Sequence, residues 1–193
     1  MCTRLHLFMK SETMPIELPN VPLDSRVGIL GGSFDPPHLG HQLLGLAALA
    51  TTSIDYLWVV PCANHAFQKS LSSFEHRHNM CELAFARLDK THVLSIENIL
   101  PAPSYTIHTI EAILKLRPDL KLSLIMGSDL MEHFDRWEEA NKIRQLCKLS
   151  VFDRTTLLPG VQSSQIREAV KLGDTRNLDL DVKTYIEENR LYF

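Results

Sequence analysis

Apolar residues in this chain follow two patterns that take turns. Short continuous runs end at turn residues: Val27-Gly28-Ile29-Leu30 before Gly31-Gly32, Tyr56-Leu57-Trp58-Val59-Val60 before Pro61, and Leu122-Ser123-Leu124-Ile125-Met126 before Gly127. Such runs predict buried strands, and Val93–Ile96 and Leu149–Phe152 predict two more. Between them the spacing becomes helical, as in Leu39, Leu43, Leu46, Ala47 and Ala50, in Phe74 to Leu88, and in Ile107, Ile110, Ile113 and Leu114. Ser163–Leu172, with Ser at its start and Gly173 past its end, predicts a short helix. A last helix is expected around Val182, Tyr185, Ile186 and Asn189. Strands alternating with helices imply an α/β domain: a doubly wound parallel sheet of about five strands, helices on both faces, and a small helical C-terminal part. Pro15, Pro19 and Pro22 disfavour regular structure near the start. Residues 1–25 are therefore expected to be a poorly ordered arm, with packing on the body as the alternative, and 26–193 a single domain.

Composition narrows the class. The chain has 193 residues and a formal charge of −3, with 45% hydrophobic and 22% charged residues. That is one ordinary globular domain, with no basic field for coating nucleic acid. No run approaches the roughly 20 apolar residues of a membrane span. Cys2, Cys62, Cys81 and Cys147 show neither a CxxC pair nor a zinc spacing, which points to a reducing, cytoplasmic setting. Oligomeric state is open, a homo-oligomer included.

The strongest chemical feature is Gly31-Gly32-Ser33-Phe34-Asp35-Pro36-Pro37-His38-Leu39-Gly40-His41, between a predicted strand and a predicted helix. In open parallel sheets, ligands sit at the carboxyl ends of strands. Paired glycines let backbone amides approach an anion, and a helix start adds free N–H groups and partial positive charge. His38 and His41 fall on one face of the helix start, where imidazoles can donate to phosphate oxygens as charge develops. Gly40 between them permits close approach of a ligand. The bland alternative is a tight turn with two solvent-facing histidines. A metal site on the same pair lacks an evident third ligand.

Further residues follow other strands. Lys69 lies in a loop after the second strand and can reach a triphosphate as a mobile point charge, or remain a solvated lysine. Tyr105 and Thr106 open a helix whose amides suit a carboxylate, or simply form its cap. Gly127 and Asp129 follow the fourth strand, where a carboxylate can accept ribose hydroxyls or cap a helix. Trp137 offers a flat face for an aromatic ring, or packs in the core. Ser163, Ser164 and Arg167 open a helix as a second anion cradle, Arg167 gripping two phosphate oxygens at once, unless this is an exposed capped helix. Trp58, inside a strand, is expected in the core, and His76 and His78 on the surface.

The eleven-residue string closely resembles the GxFDPxHxGH signature of the nucleotidyltransferase superfamily. With Ser104-Tyr105-Thr106-Ile107, Gly127-Ser128-Asp129, Phe134, Trp137 and Ser163-Ser164-Gln165-Ile166-Arg167, residues 26–193 resemble the bacterial nicotinate-nucleotide adenylyltransferases. The resemblance implies a Rossmann-like fold and transfer of AMP from ATP to the 5′-phosphate of nicotinate mononucleotide, with Mg²⁺ accompanying ATP. It implies that His38, His41 and Arg167 are catalytic. ATP would meet Gly31, Gly32, Ser33, Phe34, His38, Gly40, His41, Lys69, Gly127, Asp129, Ser163, Ser164 and Arg167. The acceptor would meet Ser33, Tyr105, Thr106 and Trp137, the nicotinate carboxylate lying at Tyr105 and Thr106. Gln162 and Ser164 depart from the usual ISST element, His108 stands where an acidic residue is common, and the 138–162 segment is short. Two rivals follow: the same chemistry on nicotinamide mononucleotide or another phosphorylated acceptor, and a non-catalytic nucleotide-binding homologue.

Overall fold

The computed structural model describes residues 16–64, 70–153 and 161–193. Five parallel strands, β1 (Arg26–Gly32), β2 (Tyr56–Pro61), β3 (Thr91–Val93), β4 (Lys121–Gly127) and β5 (Cys147–Phe152), form one sheet in the order β3-β2-β1-β4-β5. The order reverses between β1 and β4, so a crevice opens where Gly31-Gly32 and Gly127 leave the sheet side by side.

Seven α-helical segments occur among the described residues: α1 (Leu39–Thr51), α2 (Phe74–Phe85), α3 (Thr106–Leu116), α4 (Ser128–Met131), α5 (Ala140–Leu146), α6 (Ser163–Lys171) and α7 (Leu180–Glu188). Strand alternation divides the core in two. Val27 and Ile29, Trp58 and Val60, and Leu122, Leu124 and Met126 face α3 and α5. Leu30, Leu57, Val59 and Ile125 face α1, α2, α6 and α7. Gly45 lets α1 settle onto β2, because a Cβ there would lie 2.8 Å from a Leu57 methyl. Trp58 is fully buried, as expected of a core residue.

One expectation is corrected, and two regions gain detail. The third strand comes earlier and is shorter: Leu94 hydrogen-bonds to Val59 just past β3, and Ile96–Asn98 is a 3₁₀ turn. Its run is apolar because Leu94 and Ile96 plug the core, not because they pair in the sheet. The 138–162 segment, short as it is, holds α5 and the whole of β5. Residues 16–25 pack on the body: Val21 is buried with Ile16 and Leu18 against it, and Arg117 donates to the carbonyls of Val21 and Pro22 at 3.2 and 3.1 Å. Proline removes donors there, but the chain needs none when an arginine serves its carbonyls. Among the described residues no helix is long and apolar enough to cross a membrane.

Candidate active site

Leaving β1, the chain makes a turn built around one aromatic ring. Phe34 takes a left-handed backbone (φ 49°), uncommon for a bulky residue, and its ring is fully buried. A Cβ on Gly32 would sit 3.2 Å from that ring, which explains glycine there. A Cβ on Gly31 would meet nothing within 4 Å, so this backbone faces open space.

His38 is the N-cap of α1 and is buried, whereas His41, in its first turn, is half-buried. The two imidazoles stack with centroids 3.8 Å apart, and the Phe34 ring lies 4.8 Å from that of His41. The His38 backbone N–H donates to Nδ1 of His41 at 3.3 Å. An accepting Nδ1 leaves the proton of the neutral ring on Nε2, which makes Nε2 the donor atom of His41. Gly40, between the rings on the first turn of α1, adds no side chain to this face.

The far end of the chain docks on this turn. Ser163 Oγ donates to the Pro36 carbonyl at 2.9 Å, and Arg167 Nη1 donates to the Asp35 carbonyl at 2.6 Å. Nη1 also lies 3.8 Å from Oδ2 of Asp35, whose carboxylate is only 3% exposed. Sequence spacing placed His38, His41, Ser163 and Arg167 at opposite ends of the chain, and the fold joins them at one turn. Ser164 is on the same first turn of α6.

The opposite wall combines the end of β2 with the start of α3. Asn64 and Ser104 exchange hydrogen bonds, Asn64 N–H to Ser104 Oγ at 3.0 Å and Ser104 N–H to Asn64 O at 2.9 Å. Tyr105 is the N-cap of α3 and Thr106 its first residue. Tyr105 and Trp137 both pack on the core beneath α3, and Trp137 lies 5.3 Å from the Phe134 ring. Gly127 is the N-cap of α4, with exposed Asp129 in its first turn. Lys69 lies outside the described residues. Among those residues no group of three or more His, Cys, Asp or Glu side chains could hold a metal ion.

Four residues that sequence reasoning gave no role hold these walls. Arg77 is buried, and its guanidinium donates to the carbonyls of Ser72 (2.9 Å), Ser33 (2.9 Å), Cys62 (2.7 Å) and Ala63 (3.4 Å). It ties the β1 turn to the β2 loop. Glu97, equally hidden, accepts from Thr109 Oγ1 at 2.9 Å and from the Ala63 N–H at 3.3 Å. Burial pushes its carboxyl above the ordinary range, against the pull of Thr109, Ser104, Ala63 and the Arg77 charge. Asp35 was part of the motif but assigned nothing. Tyr192, past α7, donates to Asp35 Oδ1 at 2.7 Å. Arginine and glutamate are usually surface residues, so residue type alone gave no sign that these two are buried. His76, expected to be solvated, instead has Nδ1 3.0 Å from the Tyr185 hydroxyl on α7.

Comparison with known proteins finds relatives in sequence and in fold. The model of a family described as cytidylyltransferase-like matches residues 29–170. A relative from Anaeromyxobacter dehalogenans (strain 2CP-C), named "Probable nicotinate-nucleotide adenylyltransferase", is 33% identical over 179 residues, covering 86% of this chain and 96% of its own. A Vibrio parahaemolyticus structure described as "a Putative Nicotinate-nucleotide Adenylyltransferase" superposes with TM-score 0.71 at 18% identity, over 87% of this chain and 95% of the other. A Plasmodium falciparum nicotinic acid mononucleotide adenylyltransferase complexed with NaAD gives TM-score 0.64 at 21% identity, over 87% and 97%. At these identities the two structures bear on the fold alone.

Proposed function

Since the chain belongs to the cytidylyltransferase-like family and, within it, to the nicotinate-nucleotide adenylyltransferases, we propose that it transfers AMP from ATP to the 5′-phosphate of nicotinate mononucleotide. The products are deamido-NAD and pyrophosphate. The observation that carries this reading is the stacked His38–His41 pair with Ser163 and Arg167 docked on the residues just before it. That is a donor-rich turn suited to a chain of phosphates.

The step is an in-line displacement. An oxygen of the acceptor phosphate forms a bond to the α-phosphorus, the bond from that phosphorus to the α–β bridging oxygen breaks, and this oxygen leaves on pyrophosphate with the bonding electrons. The acceptor already carries charged oxygens, so no nucleophilic side chain is needed, and the protein's part is positioning and charge stabilisation. The imidazoles of His38 and His41, with Nε2 of His41 as a donor, stabilise the α-phosphate. Arg167, Ser163 and Ser164 hold the leaving pyrophosphate, with Lys69 assisting. Gly31, Gly32, Ser33, Phe34 and Gly40 shape the bed of the nucleotide, and Gly127 and Asp129 border it across the crevice. Tyr105, Thr106 and Trp137 hold the nicotinate ring and its carboxylate, with Ser33 between the two substrates. The protein side chains described offer no metal cage. In this reading Mg²⁺ accompanies ATP, on phosphate oxygens and water. The thiols of Cys62, Cys81 and Cys147 are unpaired, in keeping with a cytoplasmic location.

Pyrophosphate release from ATP tests the reading with a panel of acceptors. Turnover with nicotinate mononucleotide should exceed that with nicotinamide mononucleotide, because only the former carries a carboxylate for the start of α3. Preference for the amide would assign the other acceptor. ATP binding with no release on any acceptor would make the chain a nucleotide-binding homologue.

A further inference from the structure

The Asp35 carboxylate lies behind the β1–α1 turn and is 3% exposed. A buried carboxylate is costly unless its oxygens are served. Oδ2 accepts from the Ser72 N–H at 3.3 Å, and Oδ1 accepts from the Tyr192 hydroxyl at 2.7 Å. Arg167 stands beside it, but Nη1 stays 3.8 Å from Oδ2, longer than a hydrogen bond, and spends one of its two protons on the Asp35 carbonyl at 2.6 Å. Both contacts use Nη1. The remaining N–H groups of the guanidinium fork are the ones a phosphate can take.

Tyr192 is held in place with some effort. Its backbone is left-handed (φ 69°), uncommon for an aromatic residue, and the preceding Leu191 N–H turns back to the Ile186 carbonyl at 3.0 Å. Its ring packs on the core beneath α1, α2, α6 and α7. Burial and the neighbouring Asp35 push the phenol above its ordinary value, so it remains a donor through the working pH range.

We propose that Tyr192 is a positioning residue for Arg167. By occupying Oδ1 it keeps the Asp35 carboxylate from closing onto the guanidinium, and so leaves Arg167 available to pyrophosphate. This rests on the assignment of Arg167 to the leaving group made above. Without the hydroxyl, the carboxylate turns to Arg167 beside it and draws the fork away from the crevice.

Calorimetric binding of magnesium pyrophosphate to the full chain tests this without any acceptor. Tyr192→Phe should weaken binding roughly tenfold and lower the melting temperature by only about a few degrees, the loss of one hydrogen bond. In an Arg167→Ala background, where binding is already weak, Tyr192→Phe should change nothing further. Unchanged binding in the single variant, or an equal further loss without Arg167, would overturn the proposal. Should Tyr192→Phe fold poorly, the pair Asp35→Asn and Asp35→Asn/Tyr192→Phe replaces it, since a neutral amide leaves no stranded charge. Equal binding by those two supports the proposal, and a further tenfold loss in the double variant refutes it. A chain that meets these expectations yet releases no pyrophosphate with nicotinate mononucleotide would keep the role of Tyr192 and lose only the acceptor.

Discussion

The two walls of the crevice are built by opposite means. The phosphate-side turn is contiguous: Gly31 to His41 packs Phe34, His38 and His41 ring on ring, within 4.8 Å between neighbouring centroids. The acceptor-side wall is discontinuous. Asn64 and Ser104 meet across the fold, and beneath them the buried Glu97 and Arg77 satisfy backbone groups of the β2 loop. The two imidazoles of the first wall are neighbours in the chain, joined there by Ser163 and Arg167 from α6, and shape on the second comes from polar side chains that touch no substrate. One wall should therefore fail by losing rate, and the other by losing stability and fit.

The largest effect is expected from His41→Ala. Removing a donor aimed at developing charge costs on the order of a hundredfold to a thousandfold in kcat. His41 lies on the partly exposed start of α1, so the melting temperature should stay near that of the wild type. Steady-state pyrophosphate release together with a thermal melt checks both halves. Near-normal turnover would remove His41 from the reaction.

Arg77→Met should do the reverse. The guanidinium is 1% exposed and serves four carbonyls on both walls, so its loss should cost on the order of 3 kcal/mol of stability. Urea unfolding measures that loss. The folded fraction should show raised KM for both substrates, because Arg77 joins the β1 turn to the β2 loop. If KM rises for one substrate alone, the two walls are not coupled through Arg77.

Glu97→Gln sharpens the comparison with a smaller effect. The folded chain holds the Glu97 proton to higher pH than the unfolded chain does, because burial raises this carboxyl. Wild-type stability should thus fall as pH rises from the ordinary carboxylate value through the raised one. The amide cannot ionise, so the melting temperature of the variant relative to the wild type should climb across that interval. Parallel curves would mean that Glu97 does not titrate there.

The same contrast explains which parts could be read from the chain. Strands such as Tyr56–Pro61 announce themselves because a strand covered on both faces must be apolar throughout. Leu94 and Ile96 gave the same signal and yet lie in a loop and a 3₁₀ turn, since burial and not pairing demands their apolarity. Helix α5 escaped notice because only Ala140 and Ile143 of its seven residues are buried, too few for a period to show. Ser163 and Arg167 stood out as an anion cradle, but nothing in the chain said that they dock on Asp35 and Pro36.

By itself the sequence determined the alternation of strands and helices, the turn after β1, and the presence of two imidazoles and a guanidinium suited to phosphate chemistry. These are local matters: a period, a pair of glycines, a spacing of three along a helix start. Only the tertiary structure decided the strand order, the packing of residues 16–25 on the body, and the partners of Asp35, Arg77, Glu97 and Tyr192. A charged side chain looks alike in sequence whether water or four carbonyls surround it, and only the folded chain chooses between them.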